Sequence, residues 1–257
     1  MVNWKSIYSS EIEKGLFNYS VLVSAFLFVV IIIISSISEI IDATRCNGPL
    51  SPGMHYNLII LGLKSNSVTF FVPLLAAFPY STSYCEELKS RFILFYIQRC
   101  SRTQYIIGKL VGCIFSGGAT LLLGISITTI IYSIAFSPFE GSAVNAQSRM
   151  LFLDLIHIAI PFFLSGSLWS TVGLTISAIM ESKYIALASP FSLYYLLIII
   201  KERYFKKLYV INPRDWLLCG TNEAGIQEWR QLLIVFELII LMSVFFFSKA
   251  ERRLREL

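Results

Sequence analysis

Long apolar runs alternate with short polar segments along the chain, and their lengths set the first expectation. A membrane-spanning helix takes about 20 mostly apolar residues. Runs at residues 16–35, 68–83, 105–136, 151–180, 184–200 and 231–247 meet or approach that length with few or no charges. They predict an all-α integral membrane protein with six transmembrane helices in one domain, residues 1–257. The third run is long enough for its first turns to stand clear of the bilayer. Residues 41–66 hold Asp42, Arg45, the turn-like GPLSPG run at 48–53 and Lys64. They read as a loop with room for a half-buried helix near residues 56–63.

Ahead of the first run, Trp4, Ile7, Tyr8 and Ile12 share one helical face with Lys5 at its edge. This predicts an interfacial helix over residues 1–15, with a fraying terminus as the alternative. Glu11 falls inside the apolar face and weakens the pattern. Ser10 and Glu13 have capping-box spacing.

Composition narrows the class. The hydrophobic set makes up 56% of the 257 residues and charged residues 14%, with a mean hydropathy of +0.69. Soluble domains carry about 25% charged residues. A disordered chain, a disulfide-rich module and an ordinary nucleic-acid binder are thereby excluded. The net charge of +5 fits the excess of Lys and Arg on inner loops, and that excess favours both termini on the cytoplasmic side. Five Cys occur, at 46, 85, 100, 113 and 219, with no C-x-x-C pair, so metal and redox signatures are missing.

Small residues organise the third and fourth spans. Gly108, Gly112, Ser116, Thr120 and Gly124 recur every four residues, with Gly117 and Gly118 beside them. Close backbone approach drives helix association in lipid, so the stripe predicts a tight helix–helix contact, within the bundle or with a second subunit. Ser165, Gly166, Ser167, Ser170, Gly173 and Ser177 form a similar patch. Pro161 and Pro190 fall inside spans, as packed kinks or beside a pathway.

The sequence has no P-loop, no G-x-S-x-G and no H-E-x-x-H. Asp154 and His157 sit three apart early in the fourth span, and Glu237 lies inside the sixth. Intramembrane ionisable groups belong in the bundle interior or a wet cavity, which makes these three candidate polar residues of a pathway; Asp154 also fits the water interface. The richest stretch is Cys85–Lys109. Glu86 and Glu87 open it, and Leu88, Phe92 and Phe95 follow at helical spacing, widened by Ile93, Tyr96 and Ile97. An amphipathic surface helix is expected there, ended by Arg99, Ser101 and Arg102. Ser101 and Gln104 form a capping box that starts the third span.

Tyr80, Ser83, Tyr84, Glu86, Glu87, Arg99, Ser101, Arg102, Tyr105, Lys109, Gly117 and Gly118, in this order of elements, resemble the permease subunits of ABC type-2 transporters. The likeness is to small six-span bacterial members with a type V exporter-like fold. Many of these carry Gly-Thr where this chain has Ser90 and Arg91. The resemblance implies that residues 84–104 form a cytoplasmic coupling helix seated in an ATPase subunit, with Glu86, Glu87, Arg91, Phe92, Phe95, Arg99 and Arg102 transmitting motion. It implies two permease and two ATPase chains in the cell membrane, ATP and Mg being bound by the partner ATPase. It also implies short re-entrant helices within residues 201–230, with Trp216, Leu217 and Leu218 dipping inward and Cys46 and Cys219 on one side, where they could pair. Such permeases export antimicrobial or toxic peptides or other hydrophobic substrates. A membrane-embedded enzyme using Asp154, His157 and Glu237, or a non-transporting scaffold, are the rival expectations.

Overall fold

Apolar periodicity becomes helix throughout the computed structural model, which describes residues 4–45, 50–140, 145–205, 212–218 and 228–256. The elements are α1 (Trp4–Leu16), α2 (Tyr19–Ser35), α3 (Ile37–Arg45), α4 (Met54–Lys64), α5 (Asn66–Ala77), α6 (Ser83–Lys89), α7 (Ile93–Arg99), α8 (Arg102–Phe136), α9 (Asn145–Met180), α10 (Lys183–Arg203), α11 (Pro213–Leu217) and α12 (Glu228–Glu256). A single 3₁₀ turn, Ser137–Phe139, follows α8. No strand occurs among the described residues, whose only β feature is the isolated bridge of Leu50 with Glu140.

Four helices are long and apolar enough to cross a membrane, and the number rises to six if each of two bent pairs counts as one span. The architecture is that of a multi-pass membrane protein. A separate helix ahead of the first span was expected, and α1 turns by 43° into α2 across Phe17 and Asn18, so that the span expected over residues 16–35 begins as helix at Tyr19. The Asn18 side chain accepts from the Ser20 amide at 3.2 Å and so caps α2. Ser10 lies inside α1, which begins at Trp4, so it caps nothing. The expected second span is also shorter, since α5 has only twelve residues and meets α4 at 72°. Within residues 41–66, the half-buried helix expected near residues 56–63 is present as α4, which buries Leu58, Ile59 and Leu63 in the core, and residues 41–45, read as loop, belong to α3.

α8 and α9 form the central antiparallel pair. α1, α2, α4 and α5 pack on α8, while α5, α10 and α12 pack on α9. The small-residue stripe makes this possible, and it is used within the chain. A Cβ at Gly117 would lie 2.6 Å from the Gly166 carbonyl oxygen, and one at Gly166 would lie 2.6 Å from that of Gly117. Neither helix can carry a side chain at the crossing. Gly118 faces Phe163 and Ser167, so the two adjacent glycines both serve α9. Gly112 meets the Glu11 carbonyl of α1, and Gly124 meets Phe28 and the Ala25 carbonyl of α2. Ser116 and Thr120 are buried between them. Gly108 is also buried. The stripe therefore seats α1 and α2 along one side of α8, and its neighbouring glycines seat α9 on the other.

At the Phe136 end, one carboxylate organises the short connections. Gly53, with φ 78°, precedes α4 and gives it no side-chain cap. Glu140 supplies the cap from across the fold. Its oxygens accept from the amides of Gly53 and His55, both at 3.0 Å, and one pairs with His55 Nδ1 at 2.6 Å. An anion at a helix N-terminus also meets the favourable end of the helix dipole. Burial alone would raise the Glu140 carboxyl, but the bonds from the His55 ring and from the two amides hold it below its ordinary 4.5.

Two outcomes follow from this packing. Gly117→Ala should destabilise the chain by about 1–3 kcal/mol through overpacking, whereas Ile134→Ala, on the exposed side of α8, should change little. Equal thermal unfolding of the two variants in detergent would contradict the contact. Glu140→Gln should cost about 1–3 kcal/mol at neutral pH by removing a charged acceptor from three donors. A lowered native carboxyl value stabilises above the unfolded value and is lost as pH falls through the folded one. The gap between wild type and variant should accordingly narrow below pH 4.5; a gap that stays constant into acid would refute the assignment.

Candidate functional site

The densest polar cluster lies at the other end of the bundle, around a buried ammonium. Lys109 sits two turns into α8 and is 1% exposed. A lysine there is expensive to bury unless each N–H finds an acceptor. It finds three: Glu11 Oε2 at 2.9 Å, Glu87 Oε1 at 2.6 Å and the Tyr80 hydroxyl at 3.1 Å. The partners come from α1, α6 and the turn between α5 and α6.

The remaining polar atoms close the network. Tyr80 donates its hydroxyl proton to Glu11 Oε2, and Tyr105 donates to Glu87 Oε2 at 2.6 Å. Lys14 donates to Glu11 Oε1 at 3.0 Å and to the Tyr96 hydroxyl of α7. Two carboxylates thus face two ammoniums, so the junction is neutral in sum. It ties α1, the α5–α6 turn, α6, α7 and α8 at one point. Glu11, which spoiled the apolar face of the first helix, is that helix's attachment to Lys109. The sequence signal was present as an anomaly, yet a single charged residue on an apolar face does not name its partner.

The expected coupling segment is two helices, not one amphipathic rod. The chain breaks at Ser90–Phe92, where Arg91 takes a left-handed φ of 56°. That conformation costs a non-glycine residue about 1–2 kcal/mol. It rotates α7 against α6, so that Ile93 is buried while Phe92 and Phe95 are 49% and 64% exposed. The single apolar face expected of a surface helix is split accordingly. Phe92 meets Tyr96 edge-on at 5.6 Å, and Tyr96 meets Tyr105 at 5.5 Å with the rings tilted by 48°. A ring contact therefore runs from the exposed edge of α7 to α8. The predicted capping box at Ser101 and Gln104 is present, with bonds of 3.3 and 3.0 Å.

Glu86 and Glu87, alike in sequence, are used differently. Glu86 is exposed and Glu87 faces the junction. Arg91 and Arg102 are exposed; the side chain of Arg99 lies outside the described residues. Reversing the charge at both glutamates would break the Lys109 junction as well as change the surface, so only Glu86 is a clean surface probe. Nearby, Glu181 at the α9–α10 corner forms an ion pair with Arg253 and pins the basic end of α12.

Asp154, His157 and Glu237 are not brought together. All three lie on exposed faces of α9 and α12, not in the bundle interior. Thr175 meets the Met242 carbonyl at 3.3 Å and Glu181 meets Arg253, so the two helices run in the same direction. At 1.5 Å per residue, that register leaves His157 about 20 Å from Glu237 along the bundle. Among the described residues, no three His, Cys, Asp or Glu side chains are grouped to hold a metal ion. Cys46 and Cys219 lie outside the described residues, while Cys85, Cys100 and Cys113 are free thiols. Trp216, Leu217 and Leu218 are buried against the core, with Trp216 stacked on Trp169 at 6.4 Å.

Lys109→Met should destabilise the protein by about 3–5 kcal/mol, because it strands buried carboxylates. Adding Glu11→Leu should recover a large part of that loss, since the second change removes one stranded charge. Simply additive losses in thermal unfolding would show that the two residues are not coupled. No protein-family model and no curated protein matches this sequence.

Proposed function

We propose that the chain is the permease subunit of an ATP-driven exporter of the ABC type-2 kind, working with a separate P-loop ATPase and a second permease chain. One observation carries this reading. α6 and α7 present an exposed apolar edge, Phe92, Leu94 and Phe95, at the end of the bundle where the chain's ion-pair junction lies. Exposed aromatic groups beside charged ones suit docking to another protein. The same segment is tied through Tyr96, Tyr105, Glu87 and Lys109 to α1 and α8. A partner that pushes on the α7 edge would thereby move α1 and α8 as one piece. That is what coupling to ATP closure requires of a chain that has no P-loop of its own.

In this reading the Lys109 end is cytoplasmic, both termini are cytoplasmic, and the Glu140 end faces outward in the cell membrane. α11 is the dipping element before the last span, in keeping with the burial of Trp216 and Leu217. ATP and Mg are bound by the ATPase. Glu86, Arg91, Phe92, Phe95 and Arg102 form the docking edge, while Glu87 belongs to the transmission. The substrate is an amphipathic peptide or another hydrophobic molecule, as the resemblance to ABC type-2 permeases implies.

The test is affinity purification of the tagged chain from its native membrane. A P-loop ATPase should co-purify in stoichiometric amount. Phe92→Ser with Phe95→Ser should lower its recovery at least tenfold while leaving thermal unfolding of the permease unchanged. Absence of any ATPase under conditions that preserve membrane complexes would remove the reading.

A further inference from the structure

A polar recess of about 480 Å³ adjoins the Lys109 junction at the bend between α1 and α2. Lys14 of α1 stands on one wall, and Thr82 and Glu86, before and within α6, stand on another. Asn18 fastens the walls together, its side chain donating to the Pro79 carbonyl at 3.4 Å while it caps α2. From Lys14 to Glu39 the sequence carries no other charge, so the chain passes from water into hydrocarbon beside this recess. Phe17 and Tyr19 on its rim are 85% and 78% exposed. Exposed rings where a charge gives way to an apolar run mark a membrane–water boundary. Leu22 and Phe26 follow Tyr19 on the same helical face and are also exposed. An apolar strip therefore leads from the recess along the outside of α2.

The charges lining the recess are not all used. Glu87 and Lys109 pair with each other, and Lys109 and Lys14 both serve Glu11. Glu86 is exposed, and among the described residues its carboxylate has no hydrogen bond or ion pair. Lys14 gives two N–H donors to Glu11 and Tyr96. An ammonium has three, so one is left. An unused carboxylate and an unused ammonium donor thus share one recess. A simple anion would be repelled by Glu86 and a simple cation by Lys14, whereas a zwitterion satisfies both. The apolar strip beside them adds the third requirement, a hydrocarbon chain.

We propose that this recess seats the phosphoethanolamine headgroup of a membrane phospholipid, with its ammonium on Glu86, its phosphate on Lys14 and an acyl chain along Tyr19, Leu22 and Phe26. A primary ammonium has N–H donors for a carboxylate and a trimethylammonium has none, so the recess distinguishes ethanolamine from choline. The bound lipid bridges the α1–α2 bend to α6 and ties the Lys109 end of the bundle to the bilayer surface. The inference stands apart from the exporter reading, because binding requires no ATPase.

The test is native mass spectrometry of the delipidated full-length chain in detergent, titrated with dioleoyl lipids that differ only in the headgroup. The first molecule of phosphatidylethanolamine should bind about tenfold more tightly than the first of phosphatidylcholine, the worth of one charge-assisted hydrogen bond. Glu86→Gln, which leaves the Lys109 junction intact, should erase that difference, and Ser20→Phe, which fills the recess, should do the same. Oleylamine keeps the amine and a chain but has no phosphate, so it should bind about threefold more weakly than phosphatidylethanolamine, as the loss of an exposed ion pair implies. Glycerophosphoethanolamine, a headgroup without chains, should compete with the lipid roughly a hundredfold less strongly, because it buries no hydrocarbon. Equal affinity for the two phospholipids, or a preference that survives Glu86→Gln, would overturn the site. Equal binding of oleylamine would overturn the role of Lys14, and equal competition by glycerophosphoethanolamine would assign the recess to a soluble ligand instead of a lipid. The ligand series on the unaltered chain decides the matter even if a variant fails to fold.

Discussion

A lysine ammonium buried in an apolar bundle is the constraint from which much of this structure follows. Isolated, such a charge would be lost to neutralisation or would draw water inward. Lys109 avoids both because three acceptors converge on it from three separate elements. That convergence dictates where α1 lies. Glu11 can reach Lys109 only if α1 runs against α8, and that approach is close enough for a Cβ at Gly15 to lie 2.8 Å from the Gly112 carbonyl oxygen. The ion pair and the glycine contact thus require each other. The glycines let the helices approach, and the charge sets which residues meet.

How much of this could be read beforehand depends on whether the determining feature is local. The four long spans were legible because an apolar run of sufficient length is itself the signal. The capping box at Ser101 was legible because both of its members lie within one turn. The four-residue repeat along α8 announced a close contact, and Gly117 and Gly118 widened it. The partners, Gly15, Phe28 and Gly166, were not legible, because a flat face says nothing about what covers it. The junction was invisible for the same reason. Glu11 and Lys109 lie 98 positions apart, and their pairing is a property of the fold. Expecting one short amphipathic helix from Glu86 to the break at Arg99 went wrong because the helical period was continued through Arg91. Nothing in a periodicity count registers a left-handed residue that turns the second half away from the first. Of the α4–α5 pair, both helical runs were legible near residues 56–63 and from about residue 68, but the 72° bend that joins them is not a property of either run.

The same packing divides the molecule mechanically. α1, α2, α8 and α9 are locked by backbone-to-backbone contacts that leave no room for a side chain, and packed interiors of that kind shift as units instead of deforming. α10 is seated on α9 at Gly173, where a Cβ would lie 3.0 Å from the Ala186 carbonyl oxygen, and α12 at the contact of Thr175 with the Met242 carbonyl. Away from these contacts the two helices leave between them a cleft floored by Leu168, Trp169 and Val172, which is the loosest packing in the bundle. Glu181 with Arg253 fixes α12 to the α9–α10 corner at the Lys109 end, so the gap between α10 and α12 has its freedom farther along, toward α11. A displacement delivered at the Lys109 end to α1 and α8 would pass through the glycine contacts to α9. The junction and the cleft are separated along the bundle, yet both rest on the α8–α9 pair, which gives one end of the molecule a physical route to the other.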